Sequence, residues 1–243
     1  MGNTREPSTT SRSIDPGRPD EQSSDRPLVA SVAATMAVGV PLLRAALLAP
    51  RGGSSFRRRT MALASAWTTG AAVSGQFEPR LWRVDPSERR ERVLLPAATA
   101  AGAVAVFSVG AVVVAKVPIL RREIESVIAH ATRGSFAQAT ALALVTGATE
   151  EFFFRGAVHD LASALELPTV PTTTAVYTVT TCATGNPMLV FAAGLLGTLT
   201  GIARERSGSL VAPTVLHVGW SLGMLTVLPR VMARQRRLEV GDQ

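Results

Sequence analysis

The chain has 243 residues, of which 47% are hydrophobic, 25 are basic and 18 are acidic, and its formal net charge is +7. The charged residues are clustered, and long uncharged stretches separate the clusters. A hydrocarbon core about 30 Å thick is crossed by roughly 20 apolar residues in a helix, so this pattern favours a helical membrane protein over a soluble helical bundle. The single cysteine, Cys182, excludes an intrachain disulfide framework and a multi-cysteine metal site.

The N-terminal segment has a different composition from the rest of the chain. Residues 1–26 are rich in Ser, Thr, Pro, Asp and Arg and contain almost no apolar side chains. Such a segment cannot bury enough surface to offset the entropy that is lost on ordering, so we predict a disordered tail. It is not typical of a signal peptide, because the apolar run begins only at Pro27.

Six uncharged runs follow the tail and predict the transmembrane helices. The runs are 27–49, which is interrupted only by Arg44, then 60–77, 93–115, 134–149, 167–203 and 207–229. The run 167–203 would be about 55 Å long as one helix, which is too long for one crossing, and its central Gly185-Asn186-Pro187 predicts a turn. The sequence therefore predicts an all-α polytopic membrane bundle of about seven transmembrane helices.

These features divide the chain into four parts: a disordered polar tail (1–26), N-terminal transmembrane helices with basic loops (27–130), a core region (131–230) and a basic C-terminal tail (231–243). All the basic residues except Lys116 are arginines, and they cluster beside the uncharged runs. Arginines in such positions contact lipid headgroups. No aromatic residues alternate with them, so we expect membrane lipids as partners and no nucleic acid.

Adjacent carboxylates follow one of the uncharged runs. Residues 146–160 read TGATEEFFFRGAVHD, and ionisable residues inside a span are costly and usually functional. If the helix continues to about Leu165, Glu151 and Arg155 share a face. Glu150 then projects about 100° away from Glu151, so we expect Arg155 to neutralise Glu151 while Glu150 faces a different wall. The alternative is that the span ends here and that Glu151 and Arg155 form a surface pair.

The last uncharged run carries a second polar group. His217 lies near the middle of 207–229, and Ser221 follows four residues later on the same helical face. A lone histidine on an apolar face is usually a satisfied core residue, but within a membrane a buried imidazole needs a polar partner. We expect a carboxylate from another span to be that partner, so Glu150 and His217 should face a common cavity.

The sequence EEFFFRG resembles the EExxxRG motif of the CPBP family of intramembrane endopeptidases, which includes the CAAX prenyl endopeptidases and the proteins called Abi or Rce1-like. Family members follow this motif with FxxxH, a Gly-rich span, a turn that ends in GS, and HxxxN. Here AVYTVTTCA, MLVFAAGLLGTLTGIARERSGSLVAPTVLH and HVGWS come in that order, so the resemblance covers roughly residues 134–229. It implies an integral membrane protease, in a bacterial plasma membrane, that cuts a membrane-associated protein or peptide.

The resemblance also implies roles for individual residues. Glu150 matches the catalytic glutamate that activates water. Glu151 and Arg155 match the rest of the first motif, and Arg155 would hold a carboxylate in place. His217 matches the histidine of the last motif, which could orient the water, polarise the scissile carbonyl or bind a metal.

The chain departs from the family pattern at three positions, all of which we expect to line the site. Tyr177 and Thr181 replace the Phe and the His of FxxxH, and Ser221 replaces the Asn of HxxxN. The resemblance implies zinc, with His217 and Glu150 as its ligands if it binds. A catalytic zinc usually has three protein ligands, so the ligand set is incomplete, and neither His159 nor Cys182 is a convincing substitute.

Three functions remain open. The first is an active endopeptidase that uses a glutamate-activated water, and the second is a catalytically silent relative that binds or protects membrane proteins. The third is a small transporter, which would be expected to show inverted repeats and broken helices, and the sequence shows no such symmetry. The family resemblance favours the endopeptidase, whereas the loss of the histidine at Thr181 favours the silent relative.

Overall fold

The computed structural model describes residues 19–50, 53–114, 116–117, 121–125 and 135–241, and their regular secondary structure is entirely helical. Besides a short helical segment over residues 121–125, the elements in chain order are α1 (Pro19–Leu47), α2 (Ser54–Val73), α3 (Pro79–Trp82), a π-helical turn (Arg90–Leu94) that leads into α4 (Leu95–Val114), α5 (Phe136–Phe152), a second π-helical turn (Phe153–Ala157), α6 (Val158–Ala164), α7 (Thr169–Cys182), α8 (Pro187–Ser207), α9 (Val211–Thr226) and α10 (Leu228–Gly241). The predicted all-α class is confirmed.

Every predicted span is helical, but only some helices are able to cross a membrane alone. Among the described residues, four segments are long and apolar enough: Arg26–Leu47, Arg90–Val113, Pro187–Ser207 and Val211–Gln235. The other three of the seven predicted spans do not meet this criterion. α7 has 14 residues, which is about 21 Å of helix, α2 carries three arginines in its first turns and α5 ends at adjacent glutamates.

The disordered tail predicted over residues 1–26 lies largely outside the described residues and stays a prediction there. Residues 1–18 lie outside the described residues, but α1 begins at Pro19, so residues 19–26 form its first turns. Proline is favoured in a first turn because the N–H that it lacks has no intrahelical partner there.

The other predicted domain boundaries also stay predictions. The boundary between residues 130 and 131 lies outside the described residues. The basic tail predicted over 231–243 is helical as far as Gly241, because α10 covers it.

The turn predicted within 167–203 separates α7 from α8. Gly185 has φ +69°, in the left-handed region that glycine adopts without the clash of a Cβ. The side-chain oxygen of Asn186 then caps α8 by accepting hydrogen bonds from the backbone N–H groups of Met188 and Leu189. Pro187 follows as the first helical residue.

The helices of the core region pack around α9. This helix contacts α4, α5 and α8, while α5 also contacts α2, and α7 packs along α8. Glycines of α8 allow α7 and α8 to approach each other closely, as small residues do in membrane bundles. A Cβ on Gly197 would lie 3.2 Å from Thr174, and one on Gly201 would lie 3.1 Å from Val170.

Trp67 of α2 joins the N-terminal helices to this core. Its side chain is 1% exposed, and its ring lies 4.9 Å from that of Phe153 and 5.2 Å from that of Phe154, measured between centroids. On its other side the indole lies against Gly39 of α1, where an added Cβ would come within 2.2 Å of the ring. The close approach of α1 and α2 therefore requires glycine at position 39.

We expect Gly39→Ala to lower the thermal stability of the detergent-solubilised protein. The methyl group would displace a packed indole, and overpacking of this kind costs about 1–3 kcal/mol. The matched control is Gly102→Ala in α4, where an added Cβ meets nothing within 4 Å and alanine is favoured by roughly 0.8–1.0 kcal/mol in a helix interior. Equal melting temperatures for the two variants would contradict this packing.

Candidate active site

The helix that carries the adjacent glutamates continues beyond them, as predicted. α5 passes through the π-helical turn into α6, and Leu165 caps the end. All five residues of the turn, Phe153–Ala157, are buried, which indicates a helix that is covered on every side. Gly156 leaves space for the loop that follows α2, because an added Cβ at this position would lie 2.7 Å from the side chain of Gln76. π-helical turns are frequent at functional sites.

Glu151 and Arg155 form the predicted ion pair, and it is buried. Neither side chain has any exposed surface, so the alternative of a surface pair is excluded. Arg155 Nη1 donates a hydrogen bond of 3.3 Å to Glu151 Oε1, and Nε lies 3.3 Å from Oε2 without hydrogen-bond alignment. Arg155 Nη2 donates to the Gly197 carbonyl at 3.0 Å, and the guanidinium lies 4.8 Å from the centre of the Tyr177 ring.

The same pair orients His217. His217 Nδ1 lies 2.7 Å from Glu151 Oε1. A carboxylate that is paired with Arg155 has only acceptor oxygens, so Nδ1 is the donor. The imidazole tautomer is set by this bond, and it leaves a lone pair on Nε2, which lies 3.9 Å from Glu150 Oε2.

Glu150 faces a different wall from Glu151. Its Oε2 accepts a hydrogen bond of 2.7 Å from the Tyr177 hydroxyl. Glu150 lines a cavity of about 330 Å³ together with His217, Tyr177, Thr181 and Ser221. The structure therefore brings Glu150 and His217 to one cavity, as their polarity predicted, and the three positions that depart from the family pattern also line it.

The surroundings of this polar group are apolar. The other large lining residues include Trp67, Phe107, Phe154, Met188 and Trp220. A second cavity of about 230 Å³, lined by α1, α2 and α5, also reaches Glu150. Glu150 consequently lies where two largely apolar cavities meet.

The hydroxyl at position 181 differs chemically from an imidazole. Thr181 Oγ1 donates to the Tyr177 carbonyl at 2.9 Å, which is a common use of a threonine hydroxyl within a helix. Because its single proton is engaged, this hydroxyl offers only lone pairs to the cavity.

Sequence reasoning missed three contributions to the site. The hydroxyl of Tyr177 bonds to Glu150, Glu151 orients His217, and Gly147 leaves space for the imidazole, since a Cβ there would lie 3.3 Å from His217 Nε2. Two signals were present in the sequence. Tyrosine at a phenylalanine position adds a donor, and a glycine three residues before Glu150 lies on the same side of the helix.

His159 and Asp160 belong to a separate polar cluster. Asp160 Oδ2 accepts from Gln76 Nε2 at 2.8 Å, and Asp160 Oδ1 lies 3.4 Å from His159 Nδ1 and 3.9 Å from Arg204 Nη2. Burial alone would raise the pKa of Asp160, but the hydrogen bonds from His159 and Gln76 outweigh it and hold this pKa below its usual range. Arg204 Nε links the cluster to the site by donating to the carbonyl of Arg155 at 2.9 Å.

The residues at the cavity do not fit a catalytic zinc site. Such a site usually has three protein ligands about 2.0–2.3 Å from the metal, and the cavity offers Glu150 and His217. His159 contacts Asp160 instead, and the exposed Cys182 donates to a backbone carbonyl. Among the described residues, no group of three His, Cys, Asp or Glu side chains is arranged to hold a metal. His130 lies outside those residues.

We expect Arg155→Gln to destabilise the protein strongly. Glu151 would remain buried without its cation, and breaking a buried pair in this way costs about 3–5 kcal/mol. Chemical unfolding of the solubilised protein measures the loss. The control is Arg80→Gln, because Arg80 pairs with Glu78 while both side chains are largely exposed and exposed pairs contribute at most about 1 kcal/mol. Similar losses in the two variants would contradict the burial of the Arg155 pair.

The region that forms the cavity matches a known family. Residues 132–223 match the family described as type II CAAX prenyl endopeptidase Rce1-like. No curated protein and no solved structure gives a match. The matched segment contains Glu150, Glu151, Arg155 and His217 and extends from the start of α5 into α9. Residues 132–223 are therefore similar to the Rce1-like proteases, and the four helices that are long and apolar enough to span a membrane agree with an integral membrane protein.

Proposed function

We propose that the chain is a membrane-embedded endopeptidase in which Glu150 activates a water molecule to hydrolyse a peptide bond. The observation that carries this proposal is the placement of His217. Its Nδ1 is held by Glu151 at 2.7 Å, while its Nε2 faces Glu150 Oε2 across 3.9 Å. A water between these two groups is within hydrogen-bond reach of both, since each contact needs about 2.7–3.0 Å.

The tautomer of His217 defines how this water is held. Nε2 accepts a hydrogen bond from one water hydrogen, and the Glu150 carboxylate accepts one from the other. An oxygen lone pair then points into the cavity, toward the carbonyl carbon of the substrate. As the C–O bond forms, Glu150 takes the proton, and it returns that proton to the leaving nitrogen as the C–N bond breaks. The carboxylate is restored, and no proton is gained or lost.

Tyr177 acts in this scheme as a positioning residue. Its hydroxyl donates to Glu150 Oε2, which restricts rotation of the carboxylate and leaves the second lone pair of this oxygen for the water. The tyrosine ring is itself held, because it packs 4.9 Å from Phe154 and beneath the guanidinium of Arg155. Ser221 lines the same cavity and supplies a hydroxyl that can donate to the developing oxyanion.

The substrate in this proposal is a peptide segment of a membrane-associated protein. The cavity walls are apolar apart from the catalytic group, so they favour apolar side chains on either side of the cleaved bond. The two cavities that meet at Glu150 leave room for substrate before and after that bond. We expect the protein to work in the plasma membrane of a bacterium.

The presence of threonine at position 181, where the family pattern has histidine, favours a second candidate function. A catalytically silent relative would use the same apolar cavity to hold a segment of a membrane protein without cutting it. The hydroxyl of Thr181 is already engaged with the Tyr177 carbonyl, so it cannot donate a proton as an imidazolium would.

We expect Glu150→Gln to abolish proteolysis without unfolding the protein. The amide fills the same space and still accepts from Tyr177, but it is not a base, and loss of general-base catalysis lowers the rate by about 10²–10⁴-fold. The purified protein is incubated with solubilised membrane proteins, and newly formed N-termini are labelled and identified by mass spectrometry. Addition of a chelator should leave the wild-type pattern unchanged.

The control for this experiment is Glu91→Gln, which changes an exposed carboxylate far along the chain from the cavity. It should yield the wild-type set of new N-termini. If the wild type and Glu150→Gln produce the same set, Glu150 is not the base. If the wild type produces none but retains membrane proteins on an affinity column, the silent relative is the better account.

A further inference from the structure

A groove separate from the catalytic cavity lies between α2 and α5 on the outer surface. The two helices run in the same direction: Arg57 Nη1 donates to Gln138 Oε1 at 3.4 Å near their N-termini, and Trp67 stacks on Phe153 further along. The volume of the groove is about 510 Å³, and Glu150 is not among its lining residues.

The groove has a polar end and an apolar end. Arg57, Arg58 and Gln138 line the end near the helix N-termini, and Met61, Ala141 and Val145 line the part that lies further along the helices. Met61 is 48% exposed and Val145 is 41% exposed. α5 rises about 10 Å between Gln138 and Val145, so charged and apolar surface lie within the length of one lipid molecule.

The two arginines of the groove are uncompensated. Both side chains are exposed, and within the described part of the chain neither forms an ion pair. The sequence contains no Asp or Glu between Asp25 and Glu78. Arg57 and Arg58 also lie near the positive end of the α2 dipole, where a cation is unfavourable. The stability of α2 therefore does not explain their position.

We propose that this groove binds an anionic phospholipid of the surrounding membrane. The phosphate is held by the guanidinium groups of Arg57 and Arg58, whose planar arrays of donors match phosphate oxygens, and one acyl chain lies along Met61, Ala141 and Val145. α2 carries three arginines in its first turns and no charged residue after them, and arginines beside an uncharged helical stretch reach the headgroup level of a membrane, so its first turns lie there. A small soluble anion would leave the apolar part uncovered, and a neutral headgroup would leave the two cations uncompensated.

Native mass spectrometry of the full chain tests this site. The purified protein in detergent is titrated with dioleoyl phosphatidylglycerol or with dioleoyl phosphatidylcholine, and the first bound lipid is quantified. We expect tighter binding of the anionic lipid, and we expect Arg57→Gln combined with Arg58→Gln to weaken it about 25-fold, at roughly fivefold per arginine near an anionic surface. The control combines Arg89→Gln with Arg90→Gln, an exposed pair flanked by Glu88 and Glu91, and should change binding less than about threefold.

A second variant tests the apolar part of the groove while the charges are kept. Ala141 is exposed, so Ala141→Trp can fill the groove without disturbing the core, and it should also weaken binding of phosphatidylglycerol. Glycerol 3-phosphate, which has the phosphate but no acyl chain, should not compete. Equal binding of the two lipids, an equal loss in the control pair, or competition by glycerol 3-phosphate would overturn the proposal. Wild-type dimers that dissociate in the Arg57 and Arg58 variant would assign the groove to a second copy instead.

Discussion

The buried ion pair between Arg155 and Glu151 is the interaction on which the rest of the structure depends. Two charges without exposed surface in apolar surroundings are very costly unless they are paired with each other and hydrogen-bonded to further groups. α8 supplies the Gly197 carbonyl and α9 supplies the His217 imidazole. Because these partners come from different helices, satisfying one pair fixes the positions of three helices relative to one another. Position 197 must also be small, since a Cβ there would lie 3.1 Å from the Arg155 guanidinium.

The pair also explains why two adjacent glutamates are able to perform different tasks. Successive residues of a helix point about 100° apart, so Glu151 is directed into the polar contacts that hold the bundle together, and Glu150 is directed into the cavity. Glu151 then acts on the cavity indirectly, through the ring of His217. Tyr177 of α7 completes the arrangement, because its hydroxyl donates a hydrogen bond to Glu150. Glu151 therefore has the structural role, and its neighbour Glu150 is left free for the chemistry of the cavity.

Helical periodicity and polarity predicted much of this arrangement, because both depend on local sequence. Spacing alone indicated that Arg155 reaches Glu151, and the cost of a buried imidazole indicated that His217 needs a carboxylate. Periodicity does not specify which carboxylate a histidine 66 residues away will meet, so the bond to Glu151 was not predicted. The π-helical turn Phe153–Ala157 depends on packing against the chain around Gln76, and composition alone did not show that α1 begins at Pro19. Neither periodicity nor composition specifies these features.

The central claim is that Glu151 directs the lone pair of His217 Nε2 toward Glu150. It is tested most directly by ¹⁵N NMR of the solubilised protein labelled at its three histidines, with the His217 signals assigned by their loss in His217→Gln. At neutral pH the account predicts a proton on Nδ1 and an unprotonated Nε2, and it predicts that Glu151→Gln abolishes this preference. A proton on Nε2 with a bare Nδ1, or a tautomer that is indifferent to Glu151, would contradict it.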